Sequence, residues 1–194
     1  MSATGQLRGT WEPPHGWLLM PNRGDLSDWI DSVADESAGD QAGLREDLAR
    51  FVAFSSSSAG TNPRRWIAAL HPDPSVRARV VAAGWISVGA TVDLEQLATI
   101  ARGGPRPASL FGRQVHSVKD RRRSYVTMYD LIHSTRNIDE PILHERAAAV
   151  AVHHLAAVSV TVEVSTTDLS AFEDLAATCA NIATSVRFPE GLPT

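Results

Sequence analysis

The chain has 194 residues, 43% of them hydrophobic and 21% charged, the ordinary make-up of a soluble globular protein. At this length folding can remove about 70% of the extended chain's surface from water, enough for one domain with a real core, and no Pro/Ser/Gly-rich linker divides it. The net charge of −4 argues against a general affinity for polyanions, the lack of an 18-residue apolar run argues against a transmembrane helix, and a single cysteine excludes an intramolecular disulfide framework.

Residues 1–14 read as a flexible N-terminal tail, pinned by Trp11. The start of the chain carries no apolar run of the kind a signal peptide needs, so the expected location is the cytoplasm. A single domain is expected over 15–189, with 190–194 as a C-terminal tail. Trp17 to Met20 reads as a first strand closed by Pro21. Asp25 then caps a helix whose Leu26, Trp29, Ile30 and Val33 recur at i, i+3, i+4 and i+7. Ser37 to Gly43 interrupts, and a second helix carries Leu44, Leu48 and Phe51 on one side. Four serines, a glycine and a proline make Ser55 to Pro63 a loop by composition.

Arg64 to Leu70 and Val76 to Val88 read as strands separated by His71-Pro-Asp-Pro74, with Gly84 at a bulge. Thr91 or Asp93 opens a short helix with Leu94, Leu97 and Ile100, which stops at Gly103-Gly-Pro105. Val115 to Val118 and Ser124 to Ile132 form a hairpin tipped by Lys119 to Arg123. Glu145 to Val152 follows, turning near His153 to Ala157 into a strand in which Val158, Val160, Val162 and Val164 alternate with Ser159, Thr161, Glu163 and Ser165. That period of two predicts one dry face and one wet face. Ser170 with Glu173 reads as a capping box for a last helix bearing Phe172, Leu175, Ala176, Cys179, Ile182, Ala183 and Val186, with Arg187 at its negative end and Pro189 as its stop. The order is β, α, α, β, β, α, four β, α. Short loops between the last strands favour antiparallel pairing, so the expected class is α+β, a mainly antiparallel sheet packed by helices.

The Gly16-Trp17 strand, the run Ser159-Val-Thr-Val-Glu-Val-Ser-Thr-Thr-Asp168 leading into Phe172, and the close Ile182-Ala-Thr-Ser-Val-Arg-Phe188 resemble the PsbP/Mog-like α/β/α sandwich superfamily. Within it they are similar to small actinobacterial LpqN-type proteins, and the arginine-rich, lysine-poor composition suits a GC-rich genome. The resemblance covers most of the chain as topology and about its last 30 residues as motif. It implies an α/β/α sandwich and a binding, assembly or chaperone role, and it carries over no catalytic residue.

No nucleophile elbow, phosphate-binding glycine loop or zinc spacing occurs, so the expectation is no catalytic residue, no metal site, no cofactor and no enzyme. His153-His154, with His144 across the same hairpin, read as a polar turn. Cys179 reads as core, being mid-helix rather than beside a cation. The span Arg102 to Arg123 holds seven basic residues against one acid, and its cluster Arg121, Arg122, Arg123 is a candidate partner-binding patch. Without a recognition motif or stacking aromatics it makes nucleic acid a poor partner. The first helices carry the opposite bias, with Asp28, Asp31 and Asp35 among eight acids facing Arg45, a second candidate patch for a protein partner or for the arginine-rich loop of another copy. The function expected is therefore a small non-enzymatic protein-binding, adaptor or assembly module. The alternative is a ligand binder or enzyme whose site is built from sheet residues such as His116, His133 and Arg136.

Overall fold

The four alternating valines sit at the centre of the fold. The computed structural model describes residues 10–22, 24–57, 64–71, 78–104, 109–119, 124–134 and 142–188. Its elements follow the expected order: β1 (Trp17–Leu19), α1 (Leu26–Asp35), α2 (Gln41–Ser57), β2 (Arg65–Leu70), β3 (Val80–Ala90), α3 (Leu94–Gly103), β4 (Leu110–Lys119), β5 (Ser124–Ser134), β6 (Ile142–His153), β7 (Val158–Thr166) and α4 (Leu175–Ser185). The strands form one sheet in the order β1-β2-β3-β7-β6-β5-β4, and every described pairing is antiparallel. The class is α+β. No helix is long and apolar enough to cross a membrane.

One face is sealed by α4, which packs over β5, β6 and β7. Val160, Val162 and Val164 are fully buried there and Val158 is 1% exposed. Beside them Ala147, Ala149 and Ala151 of β6 are small enough to let the helix lie close, so Leu175, Cys179, Ile182 and Ala183 reach the sheet. Burial pushes the Cys179 thiol well above its ordinary range, which leaves it a neutral core group. Trp11 joins this core, and Thr10 pairs with Arg187 just beyond α4, so the two ends of the described chain are tied together. On the opposite face, α1 and α2 pack together against β2 and β3, and α3 lies over β4 and β5.

Several local expectations are corrected. The capping box at Ser170 does not form: Ser170 bonds the Asp168 carboxylate, and α4 starts four residues later, where Asp174 accepts from Ala177 N at 2.8 Å. Val186 and Arg187 lie past the helix end, so Arg187 contributes a β-bridge rather than a dipole partner. Helix α2 begins within the expected break and continues through Ser57. Its serine hydroxyls donate back to the Val52 and Phe54 carbonyls, satisfying groups that a loop would leave to water. Gly84 is not at the bulge. The slip lies at Val81, whose carbonyl accepts from Thr166 Oγ1 at 2.6 Å. Gly84 is needed because β7 crosses so closely that a Cβ there would lie 2.0 Å from Glu163 O. Ser159, expected on the wet face, is 4% exposed and donates to Ala90 O at 2.7 Å.

Candidate functional site

Antiparallel register carries three ionisable residues from successive strands onto one row of the face opposite α4. That row runs Ala83, Ser165, Arg146, Asp130 and Arg113 across β3, β7, β6, β5 and β4. Asp130 is fully buried. Arg113 grips it with two parallel hydrogen bonds, Nε and Nη2 donating to the two carboxylate oxygens at 2.7 and 3.0 Å, while Nη1 donates to Ala101 O of α3 at 3.3 Å. Arg146 Nη2 adds a third bond to Asp130 at 2.6 Å. Burial alone would raise the Asp130 carboxyl. The bonds from Arg113 and Arg146 more than offset it and hold the group below the usual carboxylate range.

This triad is a clamp with a surplus of positive charge. Arg113 balances Asp130 and docks α3 onto the sheet. Arg146 is left over: its Nε is buried with no partner among the described residues, while its side chain is 36% exposed. His144, two residues back on the same face of β6, is held below the ordinary histidine range by burial and then by the Arg146 charge. Beyond the triad runs a second row, Trp66, Trp85, Glu163, Ala148, Met128 and Val115. Phe51 and Phe54 of α2 meet the Trp66 ring edge-on, and Arg64 stacks 4.2 Å over Trp85. Because α2 stops over β3 and α3 over β4 and β5, the middle of this face, around Thr161, Glu163, Ala148 and Val150, stays half-exposed.

The two sheet edges differ. β1 has three residues, and Pro21 follows after one intervening residue. β4 has ten, contains no proline, and among the described residues has a neighbouring strand on one side only. Its two arginine and lysine side chains are both engaged elsewhere, Arg113 with Asp130 and Lys119 with Glu95 of α3 at 3.0 Å. Charged side chains, prolines and short length are the usual guards of an edge. β4 keeps a bulge at Phe111 and little else.

The residues singled out from sequence are placed as follows. Asp28, Asp31 and Asp35 are exposed on α1, but Asp31 and Asp35 both hold Arg45 of α2, so two of the three serve the helix pair first. Arg121, Arg122, Arg123 and Arg136 lie outside the described residues. His116 and His133 share the α4 side of the sheet without converging: His116 pairs with Thr127, and His133, six residues further along β5, meets the Phe111 ring edge-on. His144 is not across the hairpin from His153. Both belong to β6, nine residues and so about 30 Å apart. His153 Nε2 lies 3.0 Å from Ala183 O and its ring meets Phe188. Among the described residues no cluster of three or more metal-ligating side chains occurs.

Sequence reasoning missed three arrangements: the Asp130 clamp, the pairing of His154 Nε2 with the Ser124 hydroxyl at 3.3 Å, and the Arg79–Asp168 ion pair. Each joins residues from separate elements, and no local spacing announces it. His154 and Ser124 border a cavity of about 360 Å³ with Asp93, Glu95, Tyr125 and Lys119. Arg79 and Asp168 border another of about 570 Å³, where the Ser170 hydroxyl and then Arg79 keep the Asp168 carboxyl below its ordinary range. Compared with known proteins, the chain matches no protein-family model and no curated protein.

Proposed function

We propose that the chain is a non-enzymatic protein-binding module, of the adaptor or assembly-factor kind, that receives an extended protein segment on the open edge of its sheet. The observation that carries this is β4: ten residues, paired on one side among those described, with Arg113 and Lys119 both drawn away from the free edge. A free strand edge offers a row of main-chain donors and acceptors to an incoming strand, which supplies affinity, while alternate side chains supply selectivity. The layering supports the same reading. Helices on both faces of an antiparallel sheet, closed by a C-terminal helix, suit the α/β/α sandwich of the PsbP/Mog type, a scaffold on which binding and assembly roles are expected.

A photo-crosslinking benzophenone amino acid at exposed Gln114, introduced in the native host, tests the reading. A discrete adduct from position 114, lost in Val115→Lys at an unchanged melting temperature and absent when the crosslinker stands at exposed Ala38, is the expected outcome. No adduct from position 114 in a folded chain would overturn it.

One observation favours a second reading, a small-anion binder. The surplus Arg146 charge, on a side chain 36% exposed and across the strand pair from exposed Ser165, offers donors to a carboxylate or phosphate. A thermal-shift series with inorganic phosphate and simple carboxylates checks it: at 100 times its dissociation constant a ligand adds about 2.7 kcal/mol. A series without any shift removes this reading.

A further inference from the structure

The β4 edge has a self-complementary pattern. From Gly112 to Lys119 its register with β5 is regular, and the slip is confined to Phe111. The stretch from Gly112 to Val118 has Val115 at its midpoint, with three residues on either side. We infer that the occupant of this edge is a second copy of the chain, its β4 running antiparallel to the first across a two-fold axis at Val115. This rests on the reading of β4 as the docking edge and names what docks there.

The argument is one of register. A two-fold axis perpendicular to the sheet keeps side chains on matching faces, so only residues of equal parity can stand opposite each other. Centred on Val115, the ladder sets Val115 against itself, Gln114 against His116, Arg113 against Ser117 and Gly112 against Val118. The apolar pair lies on the axis, the amide meets an imidazole, and each arginine faces a hydroxyl. Other centres are worse. Centring on Arg113 opposes two arginines. Centring on His116 opposes its imidazole to itself and Arg113 to Lys119, and like charges directly across a strand pair are destabilising. Centring on Gln114 pulls the Phe111 bulge into the ladder. Centring on Ser117 leaves only Val115 to Lys119 of the strand to pair. With Arg113 held by Asp130 and Lys119 by Glu95, the Val115 centre is one in which neither cation meets a like charge across the axis.

The same axis keeps both sets of helices in place, because it returns each face of the sheet to the same side. The two sheets join into one, and neither β4 retains a free edge. The contact is isologous and therefore closes at two copies.

Sedimentation of the full chain, with engineered cysteines as rulers, tests the inference. The native Cys179 is buried, so an added thiol reports its own position. The expected results are a species of twice the 20.9 kDa chain mass, rapid disulfide-linked dimer from Val115→Cys, and none from Ser117→Cys, whose two copies would stand about 13 Å apart in this register. Val115→Lys places two ammonium groups on the axis and is expected to give monomer. If that variant does not fold, the two cysteine variants decide the matter. A monomer in sedimentation, with a position-114 adduct to a different protein, overturns the second copy and leaves the docking reading standing. A monomer with no adduct sinks both. A dimer that links through Ser117→Cys rather than Val115→Cys overturns this register.

Discussion

Along β7 beyond Ser159 the odd and even residues live in different worlds. Val158, Val160, Val162 and Val164 are at most 1% exposed beneath α4, while on the other side Thr161 and Glu163 are half-exposed and Ser165 is open to water. The α4 face is held by apolar contact, which has no direction and tolerates any arrangement that fills the volume. The opposite face is held at its β4 end by three charge-assisted hydrogen bonds to one carboxylate, which has strict geometry and cannot be loosened by degrees. The comparison teaches where the fold is forgiving and where it is not: the scaffold lies under α4, and the places open to a partner lie on the other face and along β4.

The hardest way to break this contrast is Asp130→Ala. It leaves Arg113 buried with no counter-charge and unanchors the side chain that docks α3 through Ala101, and breaking one partner of a buried pair costs about 3–5 kcal/mol. Urea unfolding measures it, and a loss below about 1 kcal/mol would show that the clamp is not structural. Acid gives the same group a second reading. The folded Asp130 pKa lies below the ordinary carboxylate value, so its stabilisation is present above about pH 3.9 and is lost as pH falls through the folded value. Asp130→Asn should therefore flatten the acid limb of the stability curve.

On the apolar face the matching test is Ile182→Ala, which removes a side chain that is 1% exposed and should cost about 3 kcal/mol. The decisive difference is in repair. Ile182→Leu keeps volume and should recover most of the loss, to within about 1.5 kcal/mol of the parent. Asp130→Leu restores volume without charge and should recover nothing. Equal recovery at the two sites would erase the distinction between the faces.

These unequal rules also explain what could be read from sequence. The valine alternation and the helical stripe through Leu175, Cys179 and Ile182 are periodic, and periodicity survives in one dimension. The element order, the buried Cys179 and the caps at Asp25 and Asp93 follow from such local signals. The start of α4 is ambiguous in sequence because Ser170 and Asp174 are both chemically competent caps, and what selects Asp174 is the competing bond of Ser170 to Asp168. The clamp was illegible for a different reason. Arg113, Asp130 and Arg146 are 17 and 16 residues apart along the chain, and only the register of three strands makes them neighbours. Gly84 belongs to the same class, since its reason is the carbonyl of Glu163 on a strand far away in sequence. The candidate patches in the sequence are charge runs, and at Asp31 and Asp35 the run is an intramolecular brace to Arg45.

The smallest expected effect is also the one that best separates burial from charge on the open face. His144 is depressed by its burial first and by Arg146 second, so the folded chain accepts its neutral form more readily than its protonated one. The unfolded chain, with a histidine near pH 6.5, binds the proton at higher pH than the folded chain does. Stability therefore should be greatest above about pH 6.5, fall as pH drops below it, and stop changing once the pH is under the folded His144 value. His144→Gln should remove that slope, and Arg146→Met should only reduce it, because burial remains when the charge is gone. Thermal unfolding of the three proteins between about pH 5 and pH 8 checks both statements. If Arg146→Met removed the slope as completely as His144→Gln, the Arg146 charge rather than burial would be what keeps this part of the sheet face neutral.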